Sequence, residues 1–332
     1  MTALEDAMNT RLTRILKAVA ESSRSNSVPS GRFVFEDGRF AIRVAGDLES
    51  RKKAYRLVYQ LYREKGYARH DPSGMWLSIF DAVPETTTLL VERISDGTAV
   101  GALTVVFDSP LGLPADNLYF GELNSLRDAG RRLAEIVSLG VAEGVEAGRE
   151  ILVKLFNHAY LLSRKIRGAT DFVITVNPRH VRFYKRSMLF EKAGPERAYG
   201  KVGGAPAVLL RVDLSTPDWA RGGEPSSGES VPVSSRTLIP LFHSESEEPG
   251  ILASIRRDTR PLRSEEFIRL FLEETDVWAN AGPGQRAHLR ILYAVWRRAA
   301  EERARGFREA FAPAEPVANG AFPPVLEAGV FA

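Results

Sequence analysis

Residues 171–194 read DFVITVNPRHVRFYKRSMLFEKAG, and this stretch decides the fold. The five residues after Asp171 are β-branched or aromatic, which is typical of a strand, and the run ends at Asn177. Pro178 suits the first turn of a helix because its ring fixes φ near the helical value. We therefore predict a strand that is followed directly by a short helix rich in cations and aromatic side chains.

Strands and helices also alternate on both sides of this stretch. Five further segments have strand patterns: FAIRVA (40–45), TTTLLVERI (86–94), AVGALTVVF (99–107), LAEIVSLGV (133–141) and PAVLLRVDL (206–214). Helical spacing of apolar residues predicts helices over 51–66 and 150–167. Asp96-Gly97 indicates a tight hairpin, since glycine adopts positive φ. This order predicts an α/β (α+β) fold, in which helices cover both faces of a mixed, mostly antiparallel central sheet.

The rest of the chain divides into segments of different character. Residues 1–30 combine an amphipathic pattern with a Ser/Pro/Gly linker, and the folded domain is predicted over 39–214. A loop-rich connection is expected over 215–262. C-terminal helices are predicted over 263–306, near Ser264 to Thr275 and Gln285 to Arg305, and we expect a disordered tail over 312–332.

The composition is that of a soluble globular protein and excludes several kinds of chemistry. Of the 332 residues 44% are hydrophobic and 26% charged, and there is no cysteine, which excludes thiol nucleophiles, disulfides and thiolate metal sites. The net charge of +3 does not indicate a nucleic-acid partner. No run of eighteen apolar residues indicates a transmembrane segment, and the N-terminus does not resemble a signal peptide. We expect a cytoplasmic protein.

Four segments carry a resemblance to known proteins. The order of elements, with Asn177, Tyr184 and Phe190, resembles the GNAT acetyltransferase superfamily, whose motif reads N...Y-x-x-x-G-F; Leu189 stands where the glycine is usual. The closer resemblance is to long-chain N-acyl amino acid synthases of the N-acyltyrosine synthase type. It is carried by YRLVYQLYREKGY, LPADNLYFGELNSLRDAGRRLAEIVSLGV, VNPRHVRFYKRSMLF and GGAPAVLLRVDL. The resemblance covers most of 41–214 and extends to the C-terminal helices.

The resemblance implies transfer of a long-chain fatty acyl group from acyl carrier protein to the amine of an amino acid. That reaction is related to the one of acyl-homoserine lactone synthases. No bound cofactor is implied, because the donor itself brings the phosphopantetheine thioester. Two alternatives stay open: an autoinducer synthase of the acyl-homoserine lactone type, which would use S-adenosylmethionine, and a noncatalytic module that binds acyl carrier protein or lipid.

An amine must be neutral before it attacks a thioester, so a carboxylate near the site is a candidate general base. Glu135 is the first candidate, because LAEIVSLGV resembles the strand that lines the donor cleft in GNAT folds. The alternative is a half-buried charge paired with Arg131 or Arg132. Glu122 is the reserve candidate.

Donor binding and leaving-group protonation are assigned from the same resemblance. A backbone amide around Ser138 and Leu139 would bind the thioester oxygen, and Val141 would lie on the same donor side. Asn177 would hydrogen-bond the pantetheine arm where the sheet splays. Tyr184 could protonate the departing thiolate, although a tyrosine on a packed helix is as often part of the core.

Carrier protein and acceptor are assigned to two helices. Four cations, which could also be a solvated helix face, would meet an acidic carrier protein: Arg179, Arg182, Lys185 and Arg186. VAEGVEAGRE (141–150) lacks the glycine spacing that cradles the diphosphate of coenzyme A and adds three carboxylates. The acceptor and acyl pocket would include Tyr55, Tyr59 and Tyr62, which could instead be core, together with Glu122.

No metal site is predicted. His243 lies in HSESEE, and we expect this stretch to be a solvated polar loop, since consecutive residues seldom converge on one ion.

Overall fold

The computed structural model describes residues 32–35, 37–215, 237–243 and 245–294. The predicted N-terminal helix and linker (1–30), the predicted tail (312–332) and the second half of the predicted 285–305 helix lie outside these residues. The chain divides into a unit of residues 1–291 and a unit of residues 292–332. Only residues 292–294 of the second unit are described.

Eight strands form one sheet in the order β1-β2-β3-β4-β5-β6-β8-β7. The strands are β1 (Phe33–Val34), β2 (Phe40–Val44), β3 (Thr87–Arg93), β4 (Ala99–Phe107), β5 (Leu133–Val141), β6 (Asp171–Val176), β7 (Glu191–Tyr199) and β8 (Ala205–Asp213). All neighbours pair antiparallel except β5 and β6, which are parallel. The predicted mixed, mostly antiparallel sheet is confirmed.

The helices are α1 (Leu48–Glu64), α2 (Asp116–Asp128), α3 (Gly148–Tyr160), α4 (Pro178–Ser187), α5 (Glu248–Asp258), α6 (Ser264–Phe267), α7 (Val277–Asn280) and α8 (283–294). Single π-helical turns continue α3 over Leu161–Ile166 and α6 over Ile268–Glu273. No helix in the described ranges is long and apolar enough to cross a membrane.

Helices pack on both faces of the sheet, as predicted. Ala54, Val58 and Leu61 of α1 pack on one face, and Ile151 and Leu155 of α3 pack on the other. Two glycines let these helices approach closely. A Cβ at Gly101 would lie 2.6 Å from Ile151 Cγ2, and a Cβ at Gly140 would lie 2.7 Å from Leu61 Cδ1.

Strand β5 contains a bulge and then separates from β6. Its register against β4 shifts between Val137 and Gly140, and Ser138 adopts φ 53°, in the left-handed region that side chains rarely adopt. Pairing with β6 is limited to Leu133–Glu135 opposite Asp171–Val173. Beyond these pairs the two strands diverge, so the sheet opens at their carboxyl ends.

Four elements were not predicted from the sequence: β1, β7, α2 and α5. Strand β7 contains Gly194 and Pro195 and lies at the sheet edge, where proline is tolerated. Helix α5 lies inside the segment predicted to be loop-rich. A Cβ at Gly46 would lie 2.4 Å from the Asp258 carbonyl oxygen, so the end of α5 packs closely against the turn before α1.

The helices after α5 pack beside α1. Arg51 Nη2 donates to the Arg260 carbonyl at 2.9 Å, and Lys52 Nζ, whose side chain is buried, donates to Glu274 Oε1 at 2.6 Å.

The expectation of a solvated loop around His243 is wrong. This residue is buried, its backbone N–H donates to Asn157 Oδ1 at 3.1 Å, and its ring stacks edge-on against Phe33.

Candidate active site

The opening between β5 and β6 is a cavity of about 520 Å³, a size typical of small-molecule sites. Both diverging strands line it, through Glu135 to Val141 and Ile174 to Val176. Its other walls come from the end of α1 and the loop after it, the loop before α2, the start of α3, α4, and the turn between β7 and β8 with the strand residues on either side of it. These residues are Tyr62, Lys65, Tyr67, Trp76, Pro114, Gly148, Leu152, Asn177, His180, Phe183, Tyr184, Tyr199, Lys201, Val202, Ala205, Pro206 and Ala207.

Glu135 is a buried carboxyl group on the wall of this cavity. Its side chain is only about 2% exposed, and Oε2 accepts the Ala115 backbone N–H at 2.8 Å. Burial raises the pKa of Glu135 to about 8, against the opposing effects of the Ala115 hydrogen bond and the Lys201 ammonium. A carboxyl group with this pKa can exchange a proton near neutral pH, as a general base requires.

The alternative reading of Glu135, in which it pairs with Arg131 or Arg132, does not match the geometry. Arg131 binds two other carboxylates, Asp171 (2.6 Å from Nε to Oδ2) and Asp213. In the described structure no arginine or lysine lies within 4.0 Å of the Glu135 carboxylate.

The hydrogen-bond donor to Glu135 is held in place by an ion-pair network at the start of α2. Arg127 donates to Asp108 Oδ2 at 2.8 Å and to Asp116 Oδ2 at 2.6 Å, which ties the loop after β4 to the first turn of the helix. Ala115 caps that helix, so the Glu135 carboxyl group lies at the positive end of the α2 dipole.

Three tyrosines on the cavity wall hold their protons at neutral pH. Burial raises the pKa of Tyr62 to about 12, and it raises the pKa values of Tyr184 and Tyr199 further. The Glu135 and Tyr62 groups add to the shift at Tyr199. Tyr184 also packs against Phe190, with ring centroids 5.8 Å apart, so this residue both lines the cavity and contacts the core.

All four residues predicted to bind the donor line the cavity: Ser138, Leu139, Val141 and Asn177. Asn177 caps α4, because its Oδ1 accepts the Arg179 backbone N–H at 3.2 Å. Its amide Nδ2 has no partner within the described residues, which leaves a donor at the point where β6 ends.

Most of the residues predicted for the acceptor pocket lie elsewhere. Only Tyr62 lines the cavity. Tyr55, on the buried side of α1, is enclosed in the core, and the Tyr59 hydroxyl accepts the Asp71 backbone N–H at 2.9 Å. Glu122 is ion-paired with Arg197 at 2.6 Å, and this pair lowers its pKa.

The cations of α4 divide into two groups. Arg179 Nη2 donates to the Tyr67 hydroxyl at 2.5 Å, at the rim of the cavity. Arg182, Lys185 and Arg186 are exposed and form no ion pair with any described residue. Tyr184, on another side of the helix, lines the cavity, so these three cations lie on the solvent-facing side of a helix that borders it.

Two carboxylates in the loop after β5 form ion pairs on the protein surface. Glu143 lies 3.7 Å from Lys65, and Glu146 lies 3.1 Å from Arg39.

Tyr199 and Lys201 line the cavity but were not identified from the sequence. They belong to β7 and to the turn Gly200–Val202, and β7 itself was not predicted. The available signal was Gly203-Gly204, both at positive φ, directly before a clear strand. Because β8 runs antiparallel to β6, a turn at this point lies beside the carboxyl end of β6.

No described residue after Ala207 lines the cavity. The described C-terminal helices therefore give no support to the expectation that they cover an acyl site.

Comparison with known proteins identifies the class of this site. Residues 53–213 match the family described as N-acyl amino acid synthase FeeM. Among solved structures, FeeM, an N-acyl amino acid synthase from uncultured soil microbes, is 26% identical, with a TM-score of 0.48 over 62% of this chain and 97% of that chain.

Two acyl-homoserine lactone synthases are also similar. LasI is 17% identical, with a TM-score of 0.41 over 53% of this chain and 90% of that chain. BjaI, solved with SAM and isopentyl-CoA, is 15% identical, with a TM-score of 0.39 over 60% and 97%. No curated protein matches the chain significantly. The family match over residues 53–213 indicates an N-acyltransferase.

Proposed function

We propose, from the match of residues 53–213 to the N-acyl amino acid synthases, that this N-acyltransferase moves a long-chain fatty acyl group from acyl carrier protein to the amine of an amino acid such as tyrosine. The observation that carries the proposal is the buried Glu135 carboxyl group on the wall of the gap between β5 and β6. A gap between parallel strands admits an extended arm, and a carboxylate at its inner end can accept a proton there.

The reaction balances with the groups present. The amine nitrogen attacks the thioester carbonyl carbon, a C–N bond forms, and the C–S bond breaks. Glu135, directly or through a water, takes the proton that the nitrogen loses. The departing sulfur takes one proton, and Tyr184 is the proposed source because its raised pKa keeps the hydroxyl protonated. The tyrosinate then regains a proton from Glu135 through the solvent of the cavity, so both groups end as they began. The products are an N-acyl amino acid and the free pantetheine thiol.

The backbone at the β5 bulge is the proposed oxyanion site. A bulge removes a residue from its ladder, so amide groups around Ser138 and Leu139 can point toward a ligand. Fixed amide donors of this kind stabilise the negative charge that develops on a thioester oxygen.

Acyl carrier protein is the proposed donor because of the charge on the exposed side of α4, a helix that borders the cavity. Arg182 and Arg186 are exposed on α4 and would attract an acidic protein surface. Glu143 and Glu146 lie in the loop where a coenzyme A diphosphate would need a cradle of backbone amides, and their charges would repel phosphate.

The test compares the same acyl chain on the carrier protein and on coenzyme A, with N-acyl product measured by mass spectrometry. We expect the double reversal Arg182→Glu and Arg186→Glu to raise KM for the carrier-bound donor about tenfold or more and to remove most of its salt dependence. Arg132→Glu is the matched control, since Arg132 is exposed at the opposite end of β5.

Equal efficiency with both donors, or equal effects of the reversal and the control, would remove carrier protein from the proposal. Product from S-adenosylmethionine alone would favour the autoinducer alternative. Binding of acylated carrier without any product would favour the noncatalytic module.

A further inference from the structure

Lys201 places an ammonium group in the same cavity as Glu135. It lies in the turn Gly200–Val202 between β7 and β8, and its side chain lines the cavity. Nζ lies 5.5 Å from the centroid of the Trp76 ring, a cation–π distance. Within the described residues no carboxylate lies within 4.0 Å of this ammonium.

The nearby acidic groups do not neutralise Lys201 in the cavity. Asp81 influences Lys201 electrostatically but does not line the cavity, and its Oδ2 accepts hydrogen bonds from Ser78 N at 2.7 Å and Ser78 Oγ at 3.1 Å. The Glu135 carboxyl group lies more than 4.0 Å from the Lys201 ammonium, and its Oε2 accepts the Ala115 backbone N–H, so the two side chains form no ion pair. An ammonium therefore faces the cavity without an anion beside it.

The cavity gives a ligand direct access to the Lys201 ammonium. The side chain is exposed to the solvent of the cavity, and the Trp76 ring lies beside it. A carboxylate that enters the cavity can form a charge-assisted hydrogen bond to Nζ, and this bond is stronger once the ligand has displaced water than on the open surface.

We propose that Lys201 binds the α-carboxylate of the amino-acid acceptor and so forms a carboxylate subsite beside the proposed base Glu135. This inference rests on the proposed function. In an α-amino acid one carbon separates the carboxylate from the amine, so an anchored carboxylate holds the amine close to Glu135. The ligand class is α-amino acids with a free carboxylate, and simple amines lack the group that Lys201 binds.

A merely structural role for Lys201 predicts a different result. If the ammonium only supported the fold or tuned the pKa of Glu135, its loss would slow acylation of every amine equally. If it also anchors a carboxylate, its loss weakens binding only for acceptors that carry one.

The experiment uses tyrosine and tyramine, which share the side chain and the amine and differ in the carboxylate. We expect the wild type to prefer tyrosine in kcat/KM. Lys201→Gln should raise KM for tyrosine about 10- to 100-fold, the range for a hydrogen bond between charged groups, while KM for tyramine stays unchanged. Loss of the ammonium also removes its lowering effect on the pKa of Glu135, which shifts the pH profile of both acceptors alike. Lys201→Arg should restore part of the tyrosine affinity, and Lys192→Gln, at an exposed site on β7, is the control.

Equal losses for both acceptors, or a wild type without preference, would overturn the carboxylate subsite. Tyramine acylation reports on the proposed function independently, since it does not need the subsite. Calorimetric binding of tyrosine adds a readout that needs no turnover. If Lys201→Gln binds tyrosine as tightly as the wild type, the inference fails whatever the rates are.

Discussion

Replacement of Glu135 by glutamine separates the chemical role of its carboxyl group from its structural role. In the wild type the Ala115 backbone nitrogen lies 2.8 Å from Glu135 Oε2. The amide oxygen of glutamine can accept the same hydrogen bond, so the local structure should persist. Glutamine cannot accept the proton of the amine. We expect Glu135→Gln to lower kcat/KM by about two to four orders of magnitude, the usual contribution of a positioned base.

The same variant should be more stable than the wild type at high pH. Burial raises the pKa of Glu135 from an ordinary 4.5 to about 8. Between these values the folded protein holds one proton that the unfolded chain releases, so the wild type loses stability as pH rises. Each pH unit corresponds to about 1.4 kcal/mol, which gives an upper limit of about 5 kcal/mol over the whole window. Glutamine does not titrate, so the unfolding free energy of Glu135→Gln does not fall with pH for this reason.

Urea denaturation at pH 5, 6, 7, 8 and 9 measures this effect as the difference in unfolding free energy between Glu135→Gln and the wild type. The difference should grow with pH and level off above about pH 8, and wild-type kcat/KM should rise over the same range. Glu122→Gln is the control: its carboxylate is paired with Arg197 outside the cavity, so we expect wild-type kinetics.

A pH-independent stability difference would show that Glu135 is ionised in the folded protein, contrary to the reasoning from burial. Near wild-type activity of Glu135→Gln from pH 7 to 9 would make Glu135 a structural residue. In that case bulk water would be the remaining base, because the Glu122 carboxylate lies away from the cavity.

Two further predictions concern packing and the leaving group. Gly46→Ala should destabilise the protein by about 1–3 kcal/mol in urea denaturation, since the new Cβ would lie 2.4 Å from the Asp258 carbonyl oxygen. Gly121→Ala, in open space on α2, should cost nothing or stabilise slightly; equal losses for the two variants would contradict close docking of α5. Tyr184→Phe should lower kcat about 100-fold without changing KM if its hydroxyl protonates the sulfur. A larger loss in Tyr199→Phe would transfer that role to the other cavity tyrosine.

The elements with strong local patterns could be predicted from the sequence. Strand β5 has the predicted bounds, Leu133–Val141, and the β6–α4 junction lies at Asn177-Pro178, because strand propensity and proline geometry act over a few residues. These two elements carry Glu135 and the donor-side residues, which is why that half of the site could be assigned.

The other half of the cavity depends on contacts that are distant in the sequence. Strand β7 has few strand-forming residues and exists through pairing with β8, so Gly203-Gly204 was the local signal for the turn that carries Lys201 but gave no indication of the strand before it. Glu122 was a reasonable candidate by position, but Arg197, 75 residues away, determines where its carboxylate points. The side of α1 that reaches the cavity, at Tyr62 and not Tyr55, likewise depends on packing against β5.

The separation of β5 from β6 leaves two strand edges facing each other inside the protein without partners. Exposed edges are where chains add foreign strands and aggregate, and this pair is lined by apolar residues such as Ile136 and Ile174. An extended amide-containing arm in the gap would take the place of the missing strand. Binding of such an arm in the gap should therefore raise the melting temperature in proportion to the logarithm of ligand concentration. It should also suppress aggregation of the purified enzyme during storage.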